Sequence, residues 1–214
     1  MLYNKIRVDF KYGPKGRFYR IFLVREDINL FNFCVGLGVL LGSEFEHCFL
    51  ITCDKENVDY VMAPFMEDLF GNRDTRYLRN YTLCALPNKF NFEYDTGEGW
   101  DFSCKKYKNL VEKSSNEEFI LLEGAGMGIW EDNIGTLIAL FEGKLDPNSS
   151  DNDENEEYYL PWNCEIEKFG DFDKPLDIDE INESLNEFYI EINSDLVKQE
   201  IAYIEANGID VNCN

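Results

Sequence analysis

The chain has 214 residues, 44% of them apolar and 15% aromatic, which is ample for one main core and too apolar for a disordered polymer. Forty-two acids against twenty bases leave a net charge of -22 and a pI near 4.3, arguing against broad attraction to nucleic acid or anionic membranes. No apolar run reaches the roughly 18 residues of a membrane-spanning helix, and Met1-Leu2-Tyr3-Asn4-Lys5-Ile6-Arg7 has no signal-peptide apolar block, so a soluble cytoplasmic protein is expected.

In chain order, Ile6-Arg7-Val8-Asp9-Phe10 alternates apolar and polar as a half-buried strand does. Residues 18–24 form a second apolar run after the turn residues Gly13-Pro14-Lys15-Gly16, which together predict a β-hairpin. Asp27 or Asn29 caps a predicted helix running to Leu41, with Leu30, Phe33, Cys34, Leu37, Leu40 and Leu41 near one face and Gly42 as its left-handed terminator. Strands follow at 47–52 and 59–62, and residues 64–80 read as a short helix with irregular chain. Further strands are expected at 82–85, 90–94 and 100–107, the last two joined by Asp95-Thr96-Gly97-Glu98-Gly99. The apolar run 119–122 leads into Gly124-Ala125-Gly126-Met127-Gly128 and a helix over 130–141. Two helices close the chain, at 179–189 and at 194–207, the second capped by Ser194 and ended by Gly208.

This order predicts an α+β fold, a mainly antiparallel or mixed sheet packed on helices, with the hairpin-then-helix opening of a β-grasp. The domain reading is a main domain over 4–145, a polar acidic linker over 146–160, and an acidic, mainly helical C-terminal extension over 161–214.

Charge is uneven. Residues 1–25 hold Lys5, Arg7, Lys11, Lys15, Arg17, Arg20 and Arg25 against Asp9 alone, whereas residues 146–214 hold 3 bases and 20 acids. The basic hairpin either pairs with the acidic tail or leaves it free for a basic partner, and internal pairing has the advantage of proximity. The seven cysteines lie mostly in apolar stretches without a CxxC pair, the pattern of reduced buried thiols. His47 is the single histidine; alternation along a strand turns it away from Cys48 and weakens a catalytic couple.

Several motifs fail on inspection. Gly124-Ala125-Gly126-Met127-Gly128 has Ile129 where a dinucleotide loop needs its third glycine, and Asp151-Asn152-Asp153-Glu154-Asn155 lacks the turn glycine of a calcium loop. Two acidic-aromatic clusters remain: Tyr94, Asp95, Glu98, Trp100 and Asp101 around the hairpin loop, and Glu123, Trp130, Glu131 and Asp132 around the glycine turn. If the loops meet, these carboxylates hold a divalent ion or a basic ligand beside the aromatics; otherwise they serve turns and helix starts. No other cofactor is implied.

The segment Phe92-Glu93-Tyr94-Asp95-Thr96-Gly97-Glu98-Gly99-Trp100-Asp101-Phe102 resembles the YxYDFGDxWEH signature of the plasmid pRiA4b ORF-3-like family. Residues 18–24, 45–49, 122–126 and 131–135 resemble that family's other motifs in order, so the likeness spans about residues 4–145. Phe102 stands where the family often has histidine, and Gly128-Ile129 replaces a proline pair. The resemblance implies a β-grasp-related α+β fold and an association with mobile elements, and no reaction.

The leading functional expectation is therefore a non-enzymatic binding or accessory protein, of inhibitor, immunity or anti-defence type, whose acidic surface engages a basic protein. The first alternative is metal-assisted hydrolysis by Asp95, Glu98, Glu123, Glu131 and Asp132. The second is nucleic-acid binding through the basic hairpin, an activity the full-length charge works against.

Overall fold

A computed structural model describes residues 1–65, 73–150 and 158–211. The strands are β1 (Leu2–Phe10), β2 (Tyr19–Arg25), β3 (Phe49–Cys53), β4 (Val58–Val61), β5 (Asp74–Tyr77), β6 (Lys89–Tyr94), β7 (Trp100–Lys106), β8 (Val111–Glu112) and β9 (Phe119–Ala125). They form one sheet in the order β5-β4-β3-β6-β7-β1-β2-β9, with β8 paired to the start of β1. All pairings are antiparallel except β4–β5. The helices are α1 (Leu30–Leu41), α2 (Ile134–Phe141) and α3 (Ile178–Asn207). The fold is α+β, a mixed, mostly antiparallel sheet packed on helices.

Alternation along β1, β6 and β7 divides the sheet into two unlike faces. Ile6, Val8, Phe90, Phe92, Phe102 and Cys104 turn inward, while Lys5, Arg7, Lys89, Asn91, Ser103 and Lys105 turn to water. Helix α1 covers the inward face, its Phe31 and Phe33 rings meeting Phe49, Phe22 and Phe90. Gly36 lets it approach closely, since a Cβ there would lie 2.1 Å from the Phe119 ring. The helix starts at Asn29, whose side chain accepts from the Asn32 N–H at 2.9 Å, and ends at Gly42 with φ 75°. It is buried on all sides rather than along one stripe, because α3 packs across its back.

Several expectations need correction. Residues 83–85 form a 3-10 turn, with Thr82 making only an isolated bridge to Asn29, so the strand at 82–85 is absent. The two expected C-terminal helices are one helix of 30 residues; Ser194 lies exposed inside it, and nothing between 189 and 194 breaks the hydrogen-bond ladder. Helix α2 begins at Ile134, four residues later than expected, because Trp130–Asn133 make a turn with Asp132 at φ 53°. Strand β5 lies where irregular chain was expected. Of the expected helix in 64–80, residues 63–65 form a 3-10 turn and 66–72 lie outside the described residues, as do 151–157 of the linker.

The segment after the linker is integrated into the core. Phe169 and Phe172 are fully buried against Trp130, Phe18 and Phe141, and Leu185 and Tyr189 of α3 join the same cluster. Among the described residues the basic hairpin meets this segment at one ion pair, Arg17 to Asp173, bidentate at 2.7 and 2.9 Å. Among the described residues no helix is long and apolar enough to cross a membrane.

Candidate functional site

The two glycine-rich loops do meet. In the β6–β7 loop Asp95 adopts φ 53° and its Oδ1 accepts from the Gly97 and Glu98 N–H groups at 3.0 and 3.3 Å, a turn closed by Gly99 at φ 81°. Glu98 Oε2 then accepts from the Ile134 N–H at 2.9 Å, supplying the cap that Asn133 does not make for α2. His47 bridges the loops from a third side. Its Nε2 lies 3.1 Å from Asp132 Oδ1 and its Nδ1 3.7 Å from Asp95 Oδ1.

Beneath this surface cluster Glu131 is fully buried. Its Oε1 accepts from the Tyr94 hydroxyl at 2.8 Å and the Glu44 N–H at 2.7 Å, while Oε2 has no hydrogen-bond partner. Burial raises the Glu131 carboxyl above its ordinary range, opposed by those two donors. The Tyr94 phenol is pushed up by burial and by the adjacent carboxylate. Asn163 braces the loop from the C-terminal segment, accepting from the Glu131 N–H at 3.1 Å and donating to the Ile129 carbonyl at 2.9 Å.

Not every expected residue joins. Asp101 faces the open side of the sheet, accepting from the Tyr12 hydroxyl at 2.8 Å with Lys11 at 3.5 Å. Glu123 accepts a hydrogen bond from Tyr19 on the β2–β9 pair. Trp100 and Trp130 are fully buried among phenylalanines, so with Tyr94 they are core residues and offer no face to a ligand. His47 and Glu46 enter instead: a donor atom from each of Glu46, His47 and Asp132 lies within 4.8 Å of the others. Three donors of this kind could hold a divalent ion, although Glu46 and Asp132 are exposed and a zinc centre takes four ligands. The lone histidine was the available sequence signal. Cys48 beside it is half-buried, its thiol raised by burial, which is the reverse of an activated nucleophile.

A second candidate surface is the outward side of α3. Glu180, Glu183, Glu187, Glu191 and Asp195 are all exposed and recur at three- or four-residue steps, opposite the buried Leu185 and Tyr189. Phe188 and Ile190 flank this acidic row and are 53% and 64% exposed.

No family model and no curated protein matches the chain. Among solved structures it is similar to a protein of unknown function, MM3350 from Methanosarcina mazei Go1. The match covers 77% of this chain and 97% of that one at 14% identity, with a TM-score of 0.54. That likeness shows the fold alone.

Proposed function

We propose that the chain is a non-enzymatic binding protein that presents the outer face of α3 to a basic protein partner. The observation that carries this reading is the pairing of an unbroken acidic row, Glu180 to Asp195, with exposed Phe188 and Ile190. An acidic row alone serves solubility; large apolar side chains set into it add the desolvated contact a specific interface needs. A partner segment with lysines or arginines beside a small apolar patch fits both parts. The resemblance to pRiA4b ORF-3-like proteins, and the β-grasp kinship it implies, supports casting the chain as a mobile-element accessory of inhibitor, immunity or anti-defence type. Metal-assisted hydrolysis has less support, because Asp95, Glu98 and Glu131 are engaged in a turn, a helix cap and the core.

The test is capture from a cell lysate at about 0.15 M salt, a Debye length of about 8 Å, on the immobilised full chain and on two variants. A basic protein held by the wild type and lost with both Phe188→Ser/Ile190→Ser and Glu187→Lys/Glu191→Lys supports the proposal. Retention that ignores either variant, or an empty column, sinks it.

A further inference from the structure

The outward face of the sheet runs against the charge of the molecule. Six of the chain's twenty basic residues, Arg7, Lys55, Lys89, Lys105, Lys106 and Lys108, line two adjoining troughs of about 390 and 490 Å3 that share Lys55, Lys89 and Lys105. Three carboxylates line the same surface: Asp9, Asp54 and Glu56. Elsewhere acids outnumber bases by more than two to one, so the excess is inverted here.

Register builds this inversion. Lys105 of β7 stands directly opposite Arg7 on β1 and directly opposite Lys89 on β6, all three on the outward face. Cross-strand neighbours have Cβ atoms about 5 Å apart, and like charges at that distance destabilise a sheet. Arg7 is relieved by Asp9, with contacts of 2.6 and 2.7 Å. Lys89 and Lys105 are not: among the described residues the lysines that pair with carboxylates are Lys11, Lys144, Lys174 and Lys198. In a chain with 42 acids, two unpaired lysines held side by side are a local conflict of the kind concentrated at functional sites.

The remaining groups give the surface its chemistry. Tyr107 is half-buried at one end, with Lys5 Nζ at 5.5 Å and Lys105 Nζ at 5.1 Å from its ring centre. Asn91 and Ser103 lie opposite each other in the next row with their donors turned to the fold, Asn91 Nδ2 to Thr52 Oγ1 and Asp54 Oδ2 and the Ser103 hydroxyl to the Asp9 carbonyl, which leaves the lysines to meet a ligand. Of the lysines lining the troughs, Lys106 is committed to the fold, its ammonium donating to the Leu83 and Leu86 carbonyls.

We propose that the outward face of β1, β6 and β7, with Lys55, Lys89, Lys105, Lys108 and Tyr107, is a binding site for single-stranded nucleic acid. Lysines act on phosphates as compact point charges, and a base stacks on Tyr107 as the Lys5 and Lys105 ammonium groups, which lie over the ring in the free protein, move onto its phosphates. Helix α3 lies at the β9 edge, three strand spacings of about 4.8 Å from β7 in the order β7-β1-β2-β9, so at physiological salt the field of its acidic face is largely screened at this surface. The second alternative drawn from the sequence is thereby moved from the hairpin to the sheet face: of the hairpin's cations, Arg20 is buried and Arg17 and Arg25 are paired with carboxylates.

The test is fluorescence anisotropy of a labelled oligothymidylate of about 12 nucleotides, a length within the range one such surface spans, titrated with the full chain at several salt concentrations. Three or four phosphate contacts predict a log–log salt slope of about -2 to -3. Lys89→Glu/Lys105→Glu should weaken binding at least tenfold and flatten the slope by about 1.4. The double variant keeps like charges opposed at 89 and 105, so the control for folding is the single Lys105→Glu, which sets a carboxylate opposite both Arg7 and Lys89 and should raise the melting temperature while weakening binding. Tyr107→Leu should weaken binding with the salt slope unchanged, and Lys15→Glu should leave it as in the wild type. No binding at about 50 mM salt, or binding indifferent to the Lys89/Lys105 change, overturns the proposal. Displacement by polyglutamate as effective as by unlabelled oligonucleotide also overturns it, in favour of an acidic peptide.

Discussion

The side-chain amide of Asn182 exchanges two hydrogen bonds with the backbone of Leu121, its Oδ1 accepting from the N–H at 2.8 Å and its Nδ2 donating to the carbonyl at 2.9 Å. One helical turn on, Asn186 repeats the arrangement with Phe119, its Oδ1 accepting from the Phe119 and Glu118 N–H groups and its Nδ2 donating to the Phe119 carbonyl at 2.9 Å. Strand β9 is the edge of the sheet, and the two asparagines of α3 occupy the positions a further strand would take. An open edge invites pairing with another chain; here the C-terminal helix closes it.

Asn182→Ala/Asn186→Ala should therefore cost about 2–6 kcal/mol, at about 1–3 kcal/mol for each of the two sets of backbone groups left unpaired, and expose the β9 edge. Chemical denaturation gives the loss, and light scattering should show concentration-dependent association that the wild type lacks. Unchanged stability would mean that water replaces the amides and that α3 is held by its apolar contacts alone. The same packing argues against removing residues after 145 as a way to expose the N-terminal hairpin: that truncation uncovers β9 and empties the core of Phe169, Phe172 and Leu185.

At the two-loop site the fold assigns unequal weights to residues that look alike in the sequence. Tyr94→Phe leaves buried Glu131 with one donor and should cost about 1–3 kcal/mol. Glu98→Ala removes the only side-chain acceptor that the described residues place at the start of α2 and should cost about 1 kcal/mol. Glu123→Ala, at an exposed site, should stay within about 0.5 kcal/mol. Denaturant midpoints for the three variants test the order; a Glu123 effect as large as that of Tyr94 would overturn it.

What was legible in the sequence was local. Helix α1 follows from Asn29, Gly42 and the apolar run between them, and the β6–β7 hairpin from alternation around Gly97 and Gly99. What was hidden depends on partners far along the chain. Strand β5 is the polar tetrapeptide Asp74–Tyr77, and only parallel pairing to β4 makes it a strand. Trp100 and Trp130 read as ligand aromatics because acids flank them, yet the same spacing places their rings in the core. Glu131 is buried because Tyr94, 37 positions away, reaches it. The cationic face is invisible to a running sum of charge, since Lys89 and Lys105 become neighbours only through β-sheet register.

Arg20 shows how far burial can override residue type. It is fully enclosed and has no carboxylate partner among the described residues; its guanidinium donates to the carbonyls of Leu40, Tyr19, Ala125, Gly126 and, at 3.4 Å, Met127. Desolvation pushes its pKa down to about 10. One planar fork thereby ties the end of α1 to β2 and to the turn after β9. Arg20→Met removes every donor while keeping an unbranched apolar stem and should cost about 3 kcal/mol or more, since several buried carbonyls lose their partner together. Arg20→Lys keeps the charge without the fork and should recover part of that loss. Equal losses for the two variants would show that charge contributes nothing to the staple.

Glu200 gives α3 a dependence on pH. It is 3% exposed; its Oε1 accepts from the Ala63 N–H at 2.7 Å, while Oε2 and the hydroxyl of nearby Tyr77 are left without hydrogen bonds. Burial raises its pKa from the ordinary 4.5 to about 7, against the pull of the Ala63 N–H, Arg79 and Tyr77; among the described residues the thiols of Cys34 and Cys48, themselves raised by burial, are within its electrostatic reach, and Glu46, His47 and Tyr203 line the same pocket. The folded state thus holds the proton more tightly than the unfolded one. The associated stability is present in full below pH 4.5 and is lost as pH rises to about 7, a difference of about 3 kcal/mol at 1.36 kcal/mol per unit. Many carboxylates titrate in this range, so the difference between wild type and Glu200→Gln is the cleaner measurement. The amide oxygen of glutamine keeps the Ala63 hydrogen bond, and its NH2 can donate to Tyr77. Glu200→Gln should match the wild type at pH 4 and exceed it by about 1–3 kcal/mol at pH 8. A constant difference across that interval would mean that Glu200 titrates as an ordinary hydrated carboxyl and that α3 docks without regard to its charge.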